Sequence, residues 1–321
     1  MKKIAVLADY LEPSHHALID STAARCGFAV DYYPDGRVPA DLAGTYEVVH
    51  GMPKPGDLKA FTGMKWFCGS FAGVDAYLDD ALYPSPEVML SNSSGAYGVT
   101  IAEHLIMVTL MLLRHAPAYL HHADAHRWGP VMPMRSIIGS TITVLGTGDI
   151  GTEFARRAKA MGAKAIRGVR RTKKAADPAF DGVFTHEELD SLLPDTDILV
   201  MALPSTADTV GILSRDRIAL LPETAYVINV GRGTAIDQPA LVEALNAGKL
   251  AGAALDVFEK EPIPAGDPVW DAKNLLITPH ISGQMSLGYT RDKNVALFCE
   301  DLENYAAGRP LKRYVDRKIG Y

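Results

Sequence analysis

Short apolar runs alternate with segments of helical periodicity along almost the whole chain. The runs have the length of strands, and the segments between them repeat apolar residues three and four positions apart, as amphipathic helices do. Strands that alternate with helices predict an α/β fold with mostly parallel sheets. Strands are predicted at residues 4–7, 29–33, 48–49, 66–67, 141–145, 164–169, 197–202, 225–230, 251–255 and 275–278.

The longest helical pattern, residues 99–127, lies between two such series and predicts a connecting helix that Pro117 kinks or breaks. Further helices are predicted at 13–26, 150–161, 186–193, 214–220, 238–247 and 286–307. At roughly 100–200 residues per domain, a chain of 321 residues is long enough for two domains. No low-complexity linker interrupts the chain. We therefore expect the chain to cross between the two domains through short segments near residues 95–100 and 285–295.

Composition and charge narrow the class of protein. An apolar content of 48% is ordinary for a globular core, and a net charge of −6 does not favour nucleic acid or anionic membranes as partners. The three cysteines lie far apart, which suggests a reducing compartment and therefore a cytoplasmic protein. No ligand set closes around the paired histidines at 15–16 and 121–122, so we expect no metal site.

A glycine-rich turn follows the strand at 141–145 and leads into a helix. It reads Gly146-Thr147-Gly148-Asp149-Ile150-Gly151, which is G-x-G-x-x-G in its strand–turn–helix setting. The first glycine permits a tight turn, the second lets the backbone approach a pyrophosphate, and the third lets helix and strand pack closely. The helix N-terminus supplies N–H groups and a positive dipole end. The turn predicts a dinucleotide site, with a plain turn as the alternative.

The next strand ends in a basic segment, where an NAD site usually carries an acidic residue for the ribose 2′-hydroxyl. The segment reads Arg170-Arg171-Thr172-Lys173-Lys174. A carboxylate there would repel a 2′-phosphate, whereas a guanidinium can bind it with two charge-assisted hydrogen bonds. The sequence therefore favours NADP as the cofactor, with NAD less favoured. The alternative interpretation is a solvated basic turn.

Three further segments place a charged side chain just beyond an apolar strand: Arg232 in NVGRG, Glu261 in DVFEKEP and His280 in TPHISG. Ligands bind outside the carboxyl ends of an open parallel sheet, where the three side chains could converge. Reduction of a 2-keto acid needs a cation for the carboxylate and an acid for the carbonyl oxygen, which suits Arg232 and His280. Glu261 would orient the imidazole. Taken singly, each is more often a cap or surface residue.

Together, the glycine-rich turn and these three motifs resemble the D-isomer-specific 2-hydroxyacid dehydrogenases over nearly the whole chain. The resemblance implies an oxidoreductase that transfers a hydride between NADP(H) or NAD(H) and C2 of a small 2-hydroxy or 2-keto acid. It implies that Arg232 binds substrate and that Glu261 pairs with His280, the acid/base. The closing residues, Val315-Asp316 and Gly320-Tyr321, resemble an NADPH-preferring branch of 2-keto acid, or glyoxylate/hydroxypyruvate, reductases.

The resemblance also implies binding residues outside these motifs. Phe71, Ala72 and Gly73 resemble a substrate-domain loop whose backbone N–H groups hold the substrate carboxylate. Asp256 stands where the family approaches the nicotinamide amide. The cofactor-side residues implied in this way are Leu203, Pro204, Thr209, Val230, Gly231, Asp256, Ser282 and Gly283.

The implied architecture is two Rossmann-like domains with an active-site cleft between them. A flavodoxin-like substrate domain would comprise residues 1–97 and 288–321, and a doubly wound NAD(P)-binding domain residues 98–287, with residues 92–95 at the crossing. A homodimer through the cofactor domain and the helix near 99–127 is also implied. Two alternatives stay open: a nucleotide-sensing, non-enzymatic protein on the same scaffold, and an enzyme for formate, phosphite or a phosphorylated acid. The lack of extra tails or a basic surface favours the enzyme.

Overall fold

The computed structural model describes residues 2–173 and 177–321. The chain divides into two compact units. One, which we call the terminal unit, comprises Met1–Tyr97 and Gln284–Tyr321, and the other, the central unit, comprises Gly98–Gly283.

In chain order, the α-helices and β-strands of the described residues are β1 (Lys2–Leu7), α1 (Pro13–Arg25), β2 (Phe28–Tyr32), α2 (Ala40–Ala43), β3 (Val48–Gly51), β4 (Trp66–Gly69), β5 (Met89–Ser91), α3 (Gly98–Leu113), α4 (Ala116–Asp124), β6 (Thr141–Leu145), α5 (Asp149–Ala160), β7 (Ala165–Val169), β8 (Gly182–Phe184), α6 (Leu189–Leu192), β9 (Ile198–Met201), α7 (Arg215–Leu220), β10 (Tyr226–Asn229), α8 (Gln238–Asn246), β11 (Gly252–Leu255), β12 (Leu275–Ile277), α9 (Gly288–Ala306) and β13 (Tyr314–Val315).

The terminal unit is built on a sheet with the strand order β13-β5-β4-β3-β1-β2. The neighbouring strands are parallel except for β13, which runs antiparallel to β5. Along β1, Ile4 and Val6 pack into one apolar cluster, and Ala5 and Leu7 pack into another. Because successive strand residues point to opposite faces, this sheet is buried on both sides. The order β2-β1-β3-β4-β5 is the flavodoxin-like one, which reverses between β1 and β3.

The central unit is built on a fully parallel sheet with the strand order β12-β11-β10-β9-β6-β7-β8. This is the doubly wound order of dinucleotide-binding folds, and it reverses between β6 and β9. The strands β6, β9, β10 and β11 are wholly buried, as helices on both faces require. Ligands of such sheets bind at the carboxyl ends of the strands beside the reversal, where the glycine-rich turn lies.

The predicted long helix at 99–127 is two helices, α3 and α4, bent by 64°. α3 ends at Leu113, and His115 takes the left-handed conformation with φ 55° before α4 begins. A proline ring clashes with the carbonyl group four residues earlier, so Pro117 accounts for a helix that stops at Leu113. Among the described residues, no single helix is long and apolar enough to span a membrane. Within the same residues, α3 and α4 taken together are the one helix pair that reaches that length and apolar composition.

Candidate active site

The glycine-rich turn joins β6 to α5, and its three glycines meet different surroundings. Gly146 has φ +99°, and a β-carbon there would lie 2.5 Å from the carbonyl oxygen of Ala202. A β-carbon on Gly151 would lie 1.9 Å from the carbonyl oxygen of Gly146. A β-carbon on Gly148 would have no atom within 4 Å. The fold therefore requires the first and third glycines, whereas the second leaves open space beside the backbone.

The start of α5 presents hydrogen-bonding groups beside that space. Gly148 is the N-cap residue and provides no side-chain cap for the first N–H groups of the helix. The Oγ1 atom of Thr147 is buried and has no hydrogen-bond partner among the described residues. The carboxylate of Asp149 lies against Gly98, at the start of α3, and Ile150 is half-buried. The open space, the uncapped helix and the unpartnered hydroxyl fit a bound pyrophosphate.

The basic segment begins directly at the end of β7. The Arg170 N–H donates to the carbonyl oxygen of Phe184 over 3.0 Å, which ties this segment to the end of β8. The guanidinium of Arg170 has no hydrogen-bond or ion-pair partner among the described residues. Arg171 and Thr172 are exposed. Burial lowers the pKa of His186, and the charge of Arg171 contributes to that lowering.

Lys173, which continues this segment, differs from Arg170. Lys173 donates to the carboxylate of Glu188 over 3.0 Å, so its charge is already partnered. Lys174 lies outside the described residues. Arg170 is thus the better candidate for a ligand phosphate, and no acidic residue stands at the end of β7 to contact a ribose hydroxyl.

Arg232 lies in a tight turn at the carboxyl end of β10. The wholly buried Asn229 shapes this turn, because its Oδ1 accepts from the Gly231 N–H (3.0 Å) and its Nδ2 donates to the Arg232 carbonyl (2.9 Å). A β-carbon on Gly231 would lie 2.6 Å from backbone atoms of Leu203, and one on Gly233 would fall 1.8 Å from the carbonyl carbon of Phe258. The turn therefore admits only glycine on either side of Arg232. The sequence interpretation missed Asn229, although it precedes the arginine at a strand end.

His280 and Glu261 are brought together at the ends of β12 and β11. The Nδ1 atom of His280 lies 2.7 Å from Oε2 of Glu261, and the other carboxylate oxygen accepts from the Phe258 N–H over 2.9 Å. The carboxylate is therefore fixed in place and favours the imidazole tautomer that carries its proton on Nδ1.

The buried carboxylate of Asp256 holds the loop that carries His280. Its Oδ1 accepts from the Thr278 hydroxyl (2.6 Å) and the Ile281 N–H (2.9 Å), and its Oδ2 accepts from the Ser282 N–H (3.0 Å). The Asp256 carbonyl accepts from the His280 N–H as well. These bonds on both sides of His280 account for its left-handed backbone, φ 53°. Asp256, predicted from the resemblance to approach the nicotinamide, thus also positions His280.

The remaining residues that the resemblance assigns to the cofactor side follow β9, β10 and β12 in the central unit. Thr209 is buried, and its hydroxyl donates to the Pro204 carbonyl over 2.6 Å, which closes the loop after β9. Leu203 is buried in that loop, and Val230 is buried directly after β10. Gly283, which follows the buried Ser282, is the last residue of the central unit.

In the terminal unit, the loop after β4 has its carbonyl groups tied by three successive hydrogen bonds. The pairs are the Ser70 carbonyl with the Tyr97 hydroxyl (2.5 Å), the Phe71 carbonyl with the Ser93 N–H (2.8 Å) and the Ala72 carbonyl with the Asn92 side-chain amide (2.7 Å). In a planar trans peptide the N–H points opposite to the carbonyl. The N–H groups of Phe71, Ala72 and Gly73 therefore point away from residues 92–97, and none donates a hydrogen bond to a described residue. We call these three groups the N–H cradle.

The side chain beside the N–H cradle is used for packing. The ring of Phe71 stacks on Tyr77, with centroids 4.5 Å apart and an interplanar angle of 14°. A β-carbon on Gly69 would lie 2.3 Å from this ring. The loop thus offers a ligand its backbone groups, and three N–H groups in a row suit a carboxylate.

Comparison with known proteins places the chain in a family. Residues 106–282 match the model of the D-isomer specific 2-hydroxyacid dehydrogenase, NAD binding domain. A glyoxylate/hydroxypyruvate reductase A of Salmonella newport (strain SL254) is 30% identical over 290 residues, 88% of each chain. The chain therefore belongs to the D-isomer-specific 2-hydroxyacid dehydrogenase family.

Two solved structures resemble the whole chain. A D-isomer specific 2-hydroxyacid dehydrogenase from Xanthobacter autotrophicus Py2, in complex with NADPH and MES, is 30% identical with a TM-score of 0.83 and covers 100% of this chain and 99% of its own. An NADPH-dependent glyoxylate/hydroxypyruvate reductase from Sinorhizobium meliloti, in complex with NADP and sulfate, is 27% identical with a TM-score of 0.83 and covers 100% of both chains. Both carry the fold described above over their full length.

Proposed function

We propose that this protein reduces the C2 carbonyl of a small 2-keto acid with NADPH and catalyses the reverse oxidation of the 2-hydroxy acid. The observation that carries the proposal is the His280–Glu261 pair, 2.7 Å apart, at the sheet edge that also holds the glycine-rich turn and Arg232. A general acid oriented by a carboxylate beside a dinucleotide site is the arrangement that carbonyl reduction requires. Membership of the family supports the same reaction.

Each residue of the proposed site has its own role in the reaction. The cofactor supplies the hydride that C2 of the keto acid receives. His280 donates the proton to the carbonyl oxygen from Nε2, while Glu261 orients the imidazole through Nδ1. The Arg232 guanidinium binds the carboxylate and polarises the carbonyl. In the terminal unit, we propose the N–H cradle as a binding group for a carboxylate. The product is the 2-hydroxy acid, with one hydride and one proton added.

The cofactor we propose is NADP(H), with NAD(H) as the weaker alternative. Arg170 supports this choice, because its guanidinium has no partner among the described residues and no acidic residue follows β7 in the segment 170–173. The relatives from Xanthobacter and Sinorhizobium, which are in complex with NADPH and NADP, support it further. As substrates we propose glyoxylate and hydroxypyruvate, after the name of the curated relative.

We also propose a cytoplasmic homodimer with no nucleic-acid or membrane partner. The support is a group of large apolar side chains that stand exposed on α3, α4 and the segment after them: Met107, Leu120, Trp128, Met132 and Ile138. Several large apolar side chains exposed on one stretch of the chain are typical of a protein–protein interface. Light scattering should give twice the mass of one chain, and the mass of a single chain would contradict the dimer.

The test of the reaction is the oxidation of NADPH and of NADH, followed by absorbance, against glyoxylate, hydroxypyruvate, pyruvate, phenylpyruvate and 2-ketoisocaproate. We expect NADPH-dependent turnover of glyoxylate or hydroxypyruvate, and a higher kcat/KM with NADPH than with NADH. Tight NADPH binding without turnover of any of these acids would contradict the proposal and favour a nucleotide-sensing protein.

A further inference from the structure

A buried hydrogen-bond network joins the loop of the N–H cradle to distant parts of the terminal unit. Tyr10 follows β1, Ser93 follows β5 and Asn294 belongs to α9, and Ser93 and Asn294 have no exposed surface. The Tyr10 hydroxyl lies 2.6 Å from Oδ1 of Asn294 and 2.9 Å from Oγ of Ser70. Nδ2 of Asn294 donates to Oγ of Ser93 over 2.7 Å. The network thus reaches both sides of the loop.

The protons of this network have one self-consistent arrangement. An amide Oδ1 can only accept, so the Tyr10 hydroxyl donates to Asn294 and takes a hydrogen bond from Ser70. Asn294 donates to Ser93, whose hydroxyl in turn donates to the Gly69 carbonyl over 2.9 Å. Buried polar groups that are all satisfied define one geometry, because each alternative leaves a group without a partner.

Tyr97 completes the support of the loop from the other direction. Its ring is 6% exposed, and its hydroxyl donates to the Ser70 carbonyl over 2.5 Å. Burial raises the pKa of both Tyr10 and Tyr97, so both hydroxyls keep their protons and stay hydrogen-bond donors at neutral pH. The Ser70 carbonyl and the Phe71 N–H belong to one planar peptide. Tyr97 therefore sets the direction of the first N–H group of the cradle.

We propose that Tyr10, Ser93, Tyr97 and Asn294 are positioning residues for the substrate carboxylate. They hold the carbonyl groups of the loop after β4, and through the rigid peptide planes they aim the N–H cradle at the carboxylate. The inference rests on the proposed function in taking a 2-keto acid as the ligand. It goes beyond that function in assigning a role in binding to four side chains that do not contact substrate.

The alternative is that the network serves stability alone. The two roles differ in kinetics, because a group that binds the carboxylate equally in the ground state and the transition state changes KM and leaves kcat alone. A purely structural role would alter thermal stability without moving KM. Substitutions that delete one hydroxyl and little volume separate the two roles.

The test uses Tyr97→Phe and Tyr10→Phe in the full-length protein. Losing the bond to a buried carbonyl should raise KM for the 2-keto acid about tenfold in Tyr97→Phe, with a smaller rise in Tyr10→Phe. We expect an unchanged kcat and an unchanged Kd for NADPH in both variants. Tyr33→Phe is the matched control, because it removes a hydroxyl bonded to Tyr46 in the same unit, and its KM should equal that of the wild type.

Direct binding of oxalate in the presence of NADPH, measured by calorimetry, separates this inference from the proposed function. Oxalate is a carboxylate probe that needs no turnover. If the wild type binds oxalate but reduces no 2-keto acid, the proposed function is wrong, and the comparison of Tyr97→Phe with wild type still decides the positioning role. Wild-type oxalate affinity in both Tyr97→Phe and Tyr10→Phe would overturn the inference. Should Tyr97→Phe fail to fold, Tyr10→Phe decides alone.

Discussion

The two units offer a ligand different groups from corresponding places in their sheets. In the central unit, side chains follow the strands, and Arg232, Glu261 and His280 lie where β10, β11 and β12 end. In the terminal unit, the loop after β4 offers the backbone N–H groups of residues 71–73, while the Phe71 ring packs against Tyr77. Carboxyl ends of parallel strands are the usual ligand site in both cases. The carboxyl edge of a parallel sheet can therefore present a ligand with side chains, as in the central unit, or with backbone N–H groups, as in the terminal unit.

The largest effect is expected on kcat, at the catalytic side chain that we propose in the central unit. His280→Ala should lower kcat by about 100-fold or more, because it removes the proton donor, while the Kd for NADPH stays the same. His16→Ala, which removes a histidine from α1 of the terminal unit, is the control and should keep wild-type turnover. Steady-state kinetics with the best 2-keto acid measure both. Near-normal kcat in His280→Ala would refute the acid/base role.

A smaller effect is expected at the arginines that we propose as ligands of the cofactor 2′-phosphate. Arg170→Asp combined with Arg171→Ala should reduce the preference for NADPH over NADH by about 10- to 100-fold, because charge-assisted hydrogen bonds to the 2′-phosphate are lost. Lys173→Ala is the matched control, since this lysine is already paired with Glu188. The ratio of kcat/KM values for the two cofactors is the measurement. An unchanged ratio in the double variant would remove the phosphate-binding role.

The smallest effects are expected in the glycine-rich turn of the central unit, where substitutions change only the space beside the backbone. Gly151→Ala should lower the free energy of unfolding by about 1–3 kcal/mol, because its β-carbon would overlap the Gly146 carbonyl. Gly148→Ala should leave the unfolding free energy unchanged and weaken NADPH binding, because its β-carbon would occupy open space beside the turn. Denaturant unfolding without cofactor and NADPH titration separate the two. Equal loss of stability in both variants would contradict the distinction between the two glycines.

The sequence predicted the long elements and the motif-bearing turns because their signals are local. The alternation of strands and helices gave both sheets, and G-x-G-x-x-G placed the turn at the reversal of strand order. The strands β5, β8 and β13 were not predicted, since two or three residues carry no periodicity and depend on a neighbouring strand. The predicted helix at 186–193 is the short helix α6 between single 3₁₀ turns.

The polar residues that hold the loops in place through hydrogen bonds were not predicted, and the reason is different. The hydrogen bond between Tyr10 and Asn294 joins positions 284 residues apart, and no local pattern marks either residue. Thr278 and Asn229 are polar residues at strand ends, a weak signal that the sequence did contain. Partners of this kind follow from tertiary packing, so only the folded chain identifies them.

The decisive measurement compares the reduction of the best 2-keto acid with that of its methyl ester, with NADPH and under the same conditions. The proposed mechanism pairs the substrate carboxylate with Arg232 and the carbonyl oxygen with His280. It therefore predicts that the acid is reduced and that the ester, which has no carboxylate charge, has a much lower kcat/KM through a raised KM. Equal kcat/KM values for acid and ester, or no oxidation of NADPH with either, would contradict it.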